Sequence, residues 1–399
     1  MKHRCMSYVV SALLSILAIN SICAAVDTGA IGAVRDKAVL DNSDFKVIDD
    51  FIADVLSELL VVEDFTATAK IRAELVRYSR PGQSEQLQYT DKFFESAYNR
   101  ISEALKTTSQ LTDPDRKFKM TLNLLIIIDG LGNTRLAELA MGLLKDENPI
   151  IRYWAVHALT NQRIAWQLNT ATANNNPKPA DQIVTGLKGA SEKANTDTLA
   201  LMVKFTADTN APQAGELLLQ IADMRIKRYA DWSVEYELLD ESVLGVLCRS
   251  MSEGAVTSNF ARRFRQLYSY AIQRYVKGQD VLSDTQKQQL ASVIVGTERS
   301  CIGMQLGMIQ STIRTAVQQN DFGTIMAEHD KLLGSDAGPG QVELKLNSDY
   351  GQSTDGSKHM SPLVLSDPPT SMTTEQPASE TSDANLPKNG GTSKVTNHP

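Results

Sequence analysis

The 399-residue sequence predicts an all-α fold. Three observations carry that expectation. Between Asp44 and Leu333 apolar residues recur at three- and four-residue steps, the period of an amphipathic helix. Cap-then-proline pairs, Asp113-Pro114 and Asn148-Pro149, open periodic segments, because a capping side chain satisfies an orphan N–H and the proline has none to satisfy. Short polar turns separate segments of about 12 to 20 residues, ordinary helix lengths, and almost nothing in this span reads as a strand.

In chain order, residues 1–25 read as a cleavable signal peptide. Lys2, His3 and Arg4 form a basic start, Tyr8 to Ile19 a short apolar run, and Cys23-Ala24-Ala25 a small-residue cleavage site. The expected mature chain is therefore secreted or periplasmic, with no membrane span. Removing Lys2 and Arg4 from the 40 basic residues leaves 38 against 47 acidic ones, a net charge of −9. That balance argues against nucleic acid as a partner.

Residues 26–110 form an N-terminal helical segment. Ile48, Ile52, Val55, Leu59 and Val62 stripe one helix, Ala67 to Arg80 makes a second, and Leu87, Phe94, Tyr98, Ile101 and Leu105 share a face of a third. Residues 111–333 continue the pattern. Asp115 to Ile128 is a helix that Gly130 is expected to end. Asn169 to Pro179 reads as a loop, and Ser300 to Gln318 as a helix. Residues 334–399 change composition: 335–399 hold seven of the 13 prolines and a single aromatic residue, Tyr350. A disordered tail is expected there, with at most a brief strand at Gln341 to Leu346.

The centre of the chain carries a resemblance. Leu136, Leu139, Ala140, Leu143 and Leu144 stripe one helix; Ile151, Ala155, Ala158 and Leu159 stripe the next. The spacing Asp146-x-x-Pro149-x-Ile151-Arg152-x-x-Ala155-x-x-Ala158-Leu159 resembles the HEAT repeat over about residues 135–160. The resemblance implies antiparallel helix pairs stacked as an α-solenoid. It also implies hydrogen bonding along the stack between an aspartate such as Asp146 and an arginine such as Arg152.

Candidate chemistry is sparse. Trp232, Glu235, Tyr236, Glu237, Asp240 and Glu241 place carboxylates beside aromatic rings, as a glycosidase requires; an acidic first helical turn accounts for Glu237 and Asp240 or Glu241 without further assumption and is the expected reading. Arg262, Arg263, Arg265, Arg274 and Lys277 interleave with aromatic residues, but Phe260, Phe264, Leu267 and Ala271 step at helical spacing, so the arginines are expected on a solvated face. His157, three residues from Trp154, is expected as a partly buried helix residue. Leu124 to Asn133 reads Leu-Leu-Ile-Ile-Ile-Asp-Gly-Leu-Gly-Asn, yet the upstream Asp-Pro cap favours a helix over a metal-bearing strand. With only His157, His329, His359 and His398 after the leader, no CxxC and no zinc spacing, neither metal nor cofactor is expected. Cys248 and Cys301 are candidates for a disulfide in an exported protein. The function expected is an exported, non-enzymatic binding or scaffold protein with a protein or glycan partner in the cell envelope. The alternative is an (α/α)-toroid polysaccharide-active enzyme using Glu235, Glu237 or Glu241.

Overall fold

The computed structural model describes residues 28–369 apart from 63, 81, 83–86, 212, 253–256, 309–311, 349, 352–358 and 360. The leader at 1–25 and the final part of the tail, 370–399, lie outside the described residues. The described chain is helical: α1 (Thr28–Arg35), α2 (Asn42–Val61), α3 (Phe65–Tyr78), α4 (Leu87–Ser109), α5 (Pro114–Leu131), α6 (Thr134–Met141), α7 (Pro149–Leu159), α8 (Gln162–Ala173), α9 (Lys178–Ser191), α10 (Thr196–Asp208), α11 (Ala214–Ala230), α12 (Leu239–Ser252), α13 (Thr257–Lys277) and α14 (Asp284–Thr297). A π-helical stretch, Glu298–Gln305, follows, then α15 (Ile313–Gln319) and α16 (Phe322–Leu333). A two-residue antiparallel pair, β1 (Gly334–Ser335) with β2 (Gly338–Pro339), leads to α17 (Gln341–Leu346).

Local chemistry sets the ends. Asp41 accepts the Asp44 N–H at 3.1 Å while Asp44 accepts that of Asp41 at 3.1 Å, a reciprocal box that opens α2. Asp113 and Asn148 cap α5 and α7, each with proline in the first turn. The end of α5 corrects the sequence reading: the helix runs past Gly130 and stops at Gly132, whose φ of 54° is left-handed. A Cβ there would also meet Arg163 Cδ at 3.0 Å, so glycine suits the turn twice over. The expected loop at 169–179 shrinks to 174–177: α8 runs on to Ala173, and Asn169 within it donates to Asp208 O at 2.9 Å and accepts the Asn210 N–H at 2.7 Å. The helix expected over 300–318 is replaced by the π-helical stretch and the shorter α15.

Helices pack on their successors and on the helix after next. α2 meets α3 and α4, α3 meets α5, α5 meets α6 and α7, and further on α10 meets α11 and α12. The apolar stripes of all these helices join one buried cluster. The repeat-like hairpin is α6 and α7, with Ala155 and Leu159 fully buried. Its turn differs from the bond the resemblance implied. Arg152 Nη1 donates to the main-chain carbonyls of Asp146 and Glu147, both at 2.8 Å, while the Asp146 carboxylate accepts the Asn148 N–H at 2.8 Å. The arginine thus fastens its own turn through the main chain.

The tail expectation is corrected for the described residues 334–369. Gln341–Leu346 is a helix, α17, packed on α13 and α16. The Tyr350 hydroxyl donates to Leu333 O at 2.6 Å, and Leu365 is buried to 1% exposure. A composition poor in apolar residues still docks, because the few it has, Val342, Tyr350 and Leu365, are buried and main-chain groups of Leu363, Leu365 and Ser366 are hydrogen-bonded to the helical body.

Candidate functional site

α13 is the helix around which the C-terminal half is arranged. It packs against α11, α12, α14, α16 and α17. Every residue from Phe264 to Tyr275 is buried, the polar ones included. Arg265 and Arg274 are 0% and 1% exposed, so the expected solvated arginine face is wrong for these two; Arg263 and Lys277 do reach solvent, paired with Asp223 and Asp367. The physical reason lies outside α13. Its second face is covered by chain that arrives from residues 232–240 and from beyond 340.

Burying a guanidinium is costly unless charge and hydrogen bonds replace water. Arg265 lies with its Cζ 4.0 Å from the Tyr350 ring centroid, close enough for a cation–π contact, and 3.7 Å from Glu343. Arg274 donates to Trp232 O at 3.2 Å and to Glu237 at 3.4 Å, and sits 5.1 Å from the Trp232 ring. Arg225, on the adjacent α11, forms a two-pronged pair with Asp240 at 2.7 and 2.8 Å, and the Tyr229 hydroxyl donates to the same carboxylate at 2.8 Å. The two ion pairs differ in balance. At Arg225 burial pulls the pKa down, but the Asp240 hydrogen bond and charge outweigh it and hold the group above its ordinary value. At the looser pair burial wins: Glu237 is pushed up and Arg274 down despite their attraction.

These pairs hold a strained loop. Trp232 and Tyr236 have φ of 56° and 54°, left-handed values that bulky residues avoid. Such conformations persist only where surroundings enforce them. Arg225 supplies that by donating to Glu235 O at 3.1 Å and Tyr236 O at 3.4 Å. The loop presents the Trp232 Nε1–H toward the end of α13.

What the loop and α13 enclose is an extended strap, residues 361–369. Gln266 grips Leu363 twice: its Oε1 accepts the N–H at 2.9 Å and its Nε2 donates to the carbonyl at 3.3 Å. Gln273 Oε1 accepts the Leu365 N–H at 2.6 Å, and its Nε2 donates to Leu363 O at 3.1 Å. Lys277 donates to Leu365 O at 2.6 Å and pairs with Asp367 at 2.9 Å. Trp232 Nε1 donates to Ser366 O at 3.0 Å. Gln266, Gln273 and Lys277 stand seven and four residues apart, one stripe of a helix, and the strap runs along that stripe in the helix direction.

Behind the strap lies a relay that is buried from Gln273 to His329 and ends at the half-exposed Asp330. Gln273 Nε2 also donates to Ser269 Oγ at 2.8 Å, Ser269 Oγ is 2.8 Å from His329 Nε2, and His329 Nδ1 is 2.8 Å from Asp330. The order serine, histidine, aspartate matches a nucleophile set. Ser269 is however fully buried in the interior of α13, where main-chain N–H groups are committed to the helix and none is free to stabilise an oxyanion. Burial lowers the His329 pKa, against the Asp330 carboxylate that raises it. A neutral imidazole with Nδ1–H on Asp330 satisfies every partner and steadies Gln273.

The sequence-chosen carboxylates do not converge. Glu235 and Glu241 face solvent, while Glu237 is buried on Arg274. Cys248 and Cys301 are both buried free thiols. Their mutual hydrogen bond pushes Cys248 up and Cys301 down, and Cys301 Sγ lies 3.9 Å from Leu244 O. His157 is half-buried against Trp154, ring centroids 5.0 Å apart, and within 3.0 Å of Asp129. Among the described residues no group of three or more His, Cys, Asp or Glu is placed to hold a metal ion, and no helix is long and apolar enough to cross a membrane. Sequence reasoning missed Gln266, Gln273 and the strap. The available signal was a polar stripe, Gln266, Gln273 and Lys277, set among the aromatic residues of α13.

No family model matches the chain, and neither a curated protein nor a solved structure matches it.

Proposed function

We propose that the protein is a non-enzymatic scaffold, a HEAT-like α-solenoid, that binds an extended polypeptide segment along α13. The observation that carries this reading is the seating of residues 361–369. Five main-chain polar groups, Leu363 N and O, Leu365 N and O, and Ser366 O, meet side chains of the helical body. Two glutamines that each present a donor and an acceptor suit the alternating N–H and C=O array of an extended peptide. A glycan offers no such array, so of the protein and glycan partners the protein is favoured. The next-but-one packing of the helices supports the solenoid arrangement, and the basic-then-apolar leader supports placing the binding outside the cytoplasm. The carboxylates of the toroid-enzyme reading are spent on Arg225 and Arg274 or separated in solvent, which weighs against turnover.

The test is calorimetric titration of full-length Leu365→Arg protein with a synthetic peptide spanning 361–369. The substitution puts charge into an apolar seat and repels Lys277, lifting the strap. Saturable binding at one site is expected. No heat and no competition by any extended peptide would overturn the reading.

A further inference from the structure

We infer that this groove selects extended segments of the pattern Pro-x-x-Leu-x-Asp, and that the strap is a resident stand-in for such a partner. The inference rests on the peptide-binding reading and adds which peptide is taken. The main-chain bonds hold any extended segment in register but cannot tell one sequence from another. Selection falls to the side chains that the groove covers. Along the strap these are Pro362 and Leu365, both buried. Leu363 and Val364 point away, 49% and 78% exposed, so those positions are read only through their backbone. Asp367 meets Lys277 Nζ at 2.9 Å.

The three determinants differ in strength for physical reasons. Leu365, at 1% exposure, removes almost all its apolar surface from water and so dominates. Pro362 enters an extended stretch with φ already fixed and brings no N–H that would need a partner, which lowers the ordering cost. Asp367 is 88% exposed and Lys277 31%, so their attraction is screened by salt and sets a preference rather than affinity. The register follows from the helix. Gln273 reads the residue at the leucine and the one two before it, and Lys277, one turn on, reads the leucine carbonyl and the acid.

The strap holds this seat by tethering. Tyr350 N donates to His359 O at 3.1 Å and His359 N donates to Gly351 O at 2.8 Å, closing the chain just before the strap. A segment leashed this closely sees its own groove at an effective concentration of roughly millimolar order. A partner in trans must therefore match the groove better than the strap, or arrive when the strap has been drawn away.

The experiment uses the full chain, as wild type and as Leu365→Arg, with a fluorescent peptide of the native 361–369 sequence. Leu365→Ala protein stands in should the arginine variant fail to fold. The strap-lifted protein is expected to bind the native peptide at least tenfold more tightly than wild type. Against it, a Leu365→Ala peptide should lose at least tenfold and a Pro362→Ala peptide less. An Asp367→Lys peptide should lose a few-fold at low salt and little at high salt, and a Val364→Ser peptide should bind unchanged. Equal binding of all peptides, scrambled ones included, would sink the selectivity while leaving the peptide-binding reading intact. Binding of none would sink both. Equal binding by wild type and strap-lifted protein would remove the stand-in role.

Discussion

The α6–α7 hairpin and the α11–α13 region use arginine in opposite ways. Arg152 lies at a turn that touches solvent and donates to two carbonyls of its own chain segment. Arg225, Arg265 and Arg274 are stripped of water and held by carboxylates, aromatic rings and loop carbonyls. In the first region the core is apolar and charge decorates the rim. In the second, charge lies inside beside the buried Trp232, Val234 and Leu239, and Arg225 and Arg274 bond the carbonyls of the loop. The difference lies in what the arginines hold: in the second region the paired Arg225 and Arg274 also bond the carbonyls of Trp232, Glu235 and Tyr236, the loop that carries the two left-handed residues.

Four measurements break or sharpen that contrast. The largest effect is expected at Arg225. Arg225→Ala leaves Asp240 buried without its partner and should cost about 3–5 kcal/mol in chemical denaturation. If it costs no more than Arg152→Ala, the two regions are not different in kind. Next is the strap. Leu365→Ala empties a buried seat and should cost about 2 kcal/mol or more, read as faster amide exchange at Leu363 and Leu365 with the α6–α7 hairpin unchanged. Loss of protection across both regions would mean that the strap is part of one cooperative unit. Third, Arg152→Ala should cost about 1–2 kcal/mol, since its acceptors are neutral carbonyls that water can partly reach.

The smallest effect concerns pH. His329 has a folded pKa below the ordinary 6.5 because burial disfavours its charged form. The unfolded chain therefore binds the proton more readily. The contribution of neutral His329 is complete above pH 6.5 and is lost as pH falls below it. His329→Gln should flatten the stability profile between neutral and mildly acid pH, and strap exchange in the wild type should quicken on acidification. An unchanged profile in the variant would detach the relay from the strap.

Much of the fold could be read from local signals. The caps at Asp113 and Asn148 act within one turn, and the stripes of α2 and α4 act within one helix, so a short window contains their cause. Gly130 is the first glycine after the apolar run, so a short window ends the helix there; Arg163, which crowds Gly132, comes from another helix. The site was legible only as fragments. The Trp232 to Glu241 cluster stood out, but as acids for chemistry. Its partners Arg225 and Arg274 lie on other helices, and Arg274 is 37 residues from Glu237 in sequence. The described part of the tail differs from expectation because a count of apolar residues does not register the main-chain hydrogen bonds at Leu363 and Leu365, or that the single Leu365 is buried to 1% exposure.

The strap also imposes an order of events on the growing chain. Lys277 and Asp367 are separated by 90 residues, and Trp232 and Ser366 by 134. At roughly 5–20 residues per second of synthesis, α13 waits about 5–20 s for its own cover. During that interval Gln266 and Gln273 are wet and the groove is open to any extended segment within reach. A C-terminal truncation ending before Pro362 would make that interval permanent.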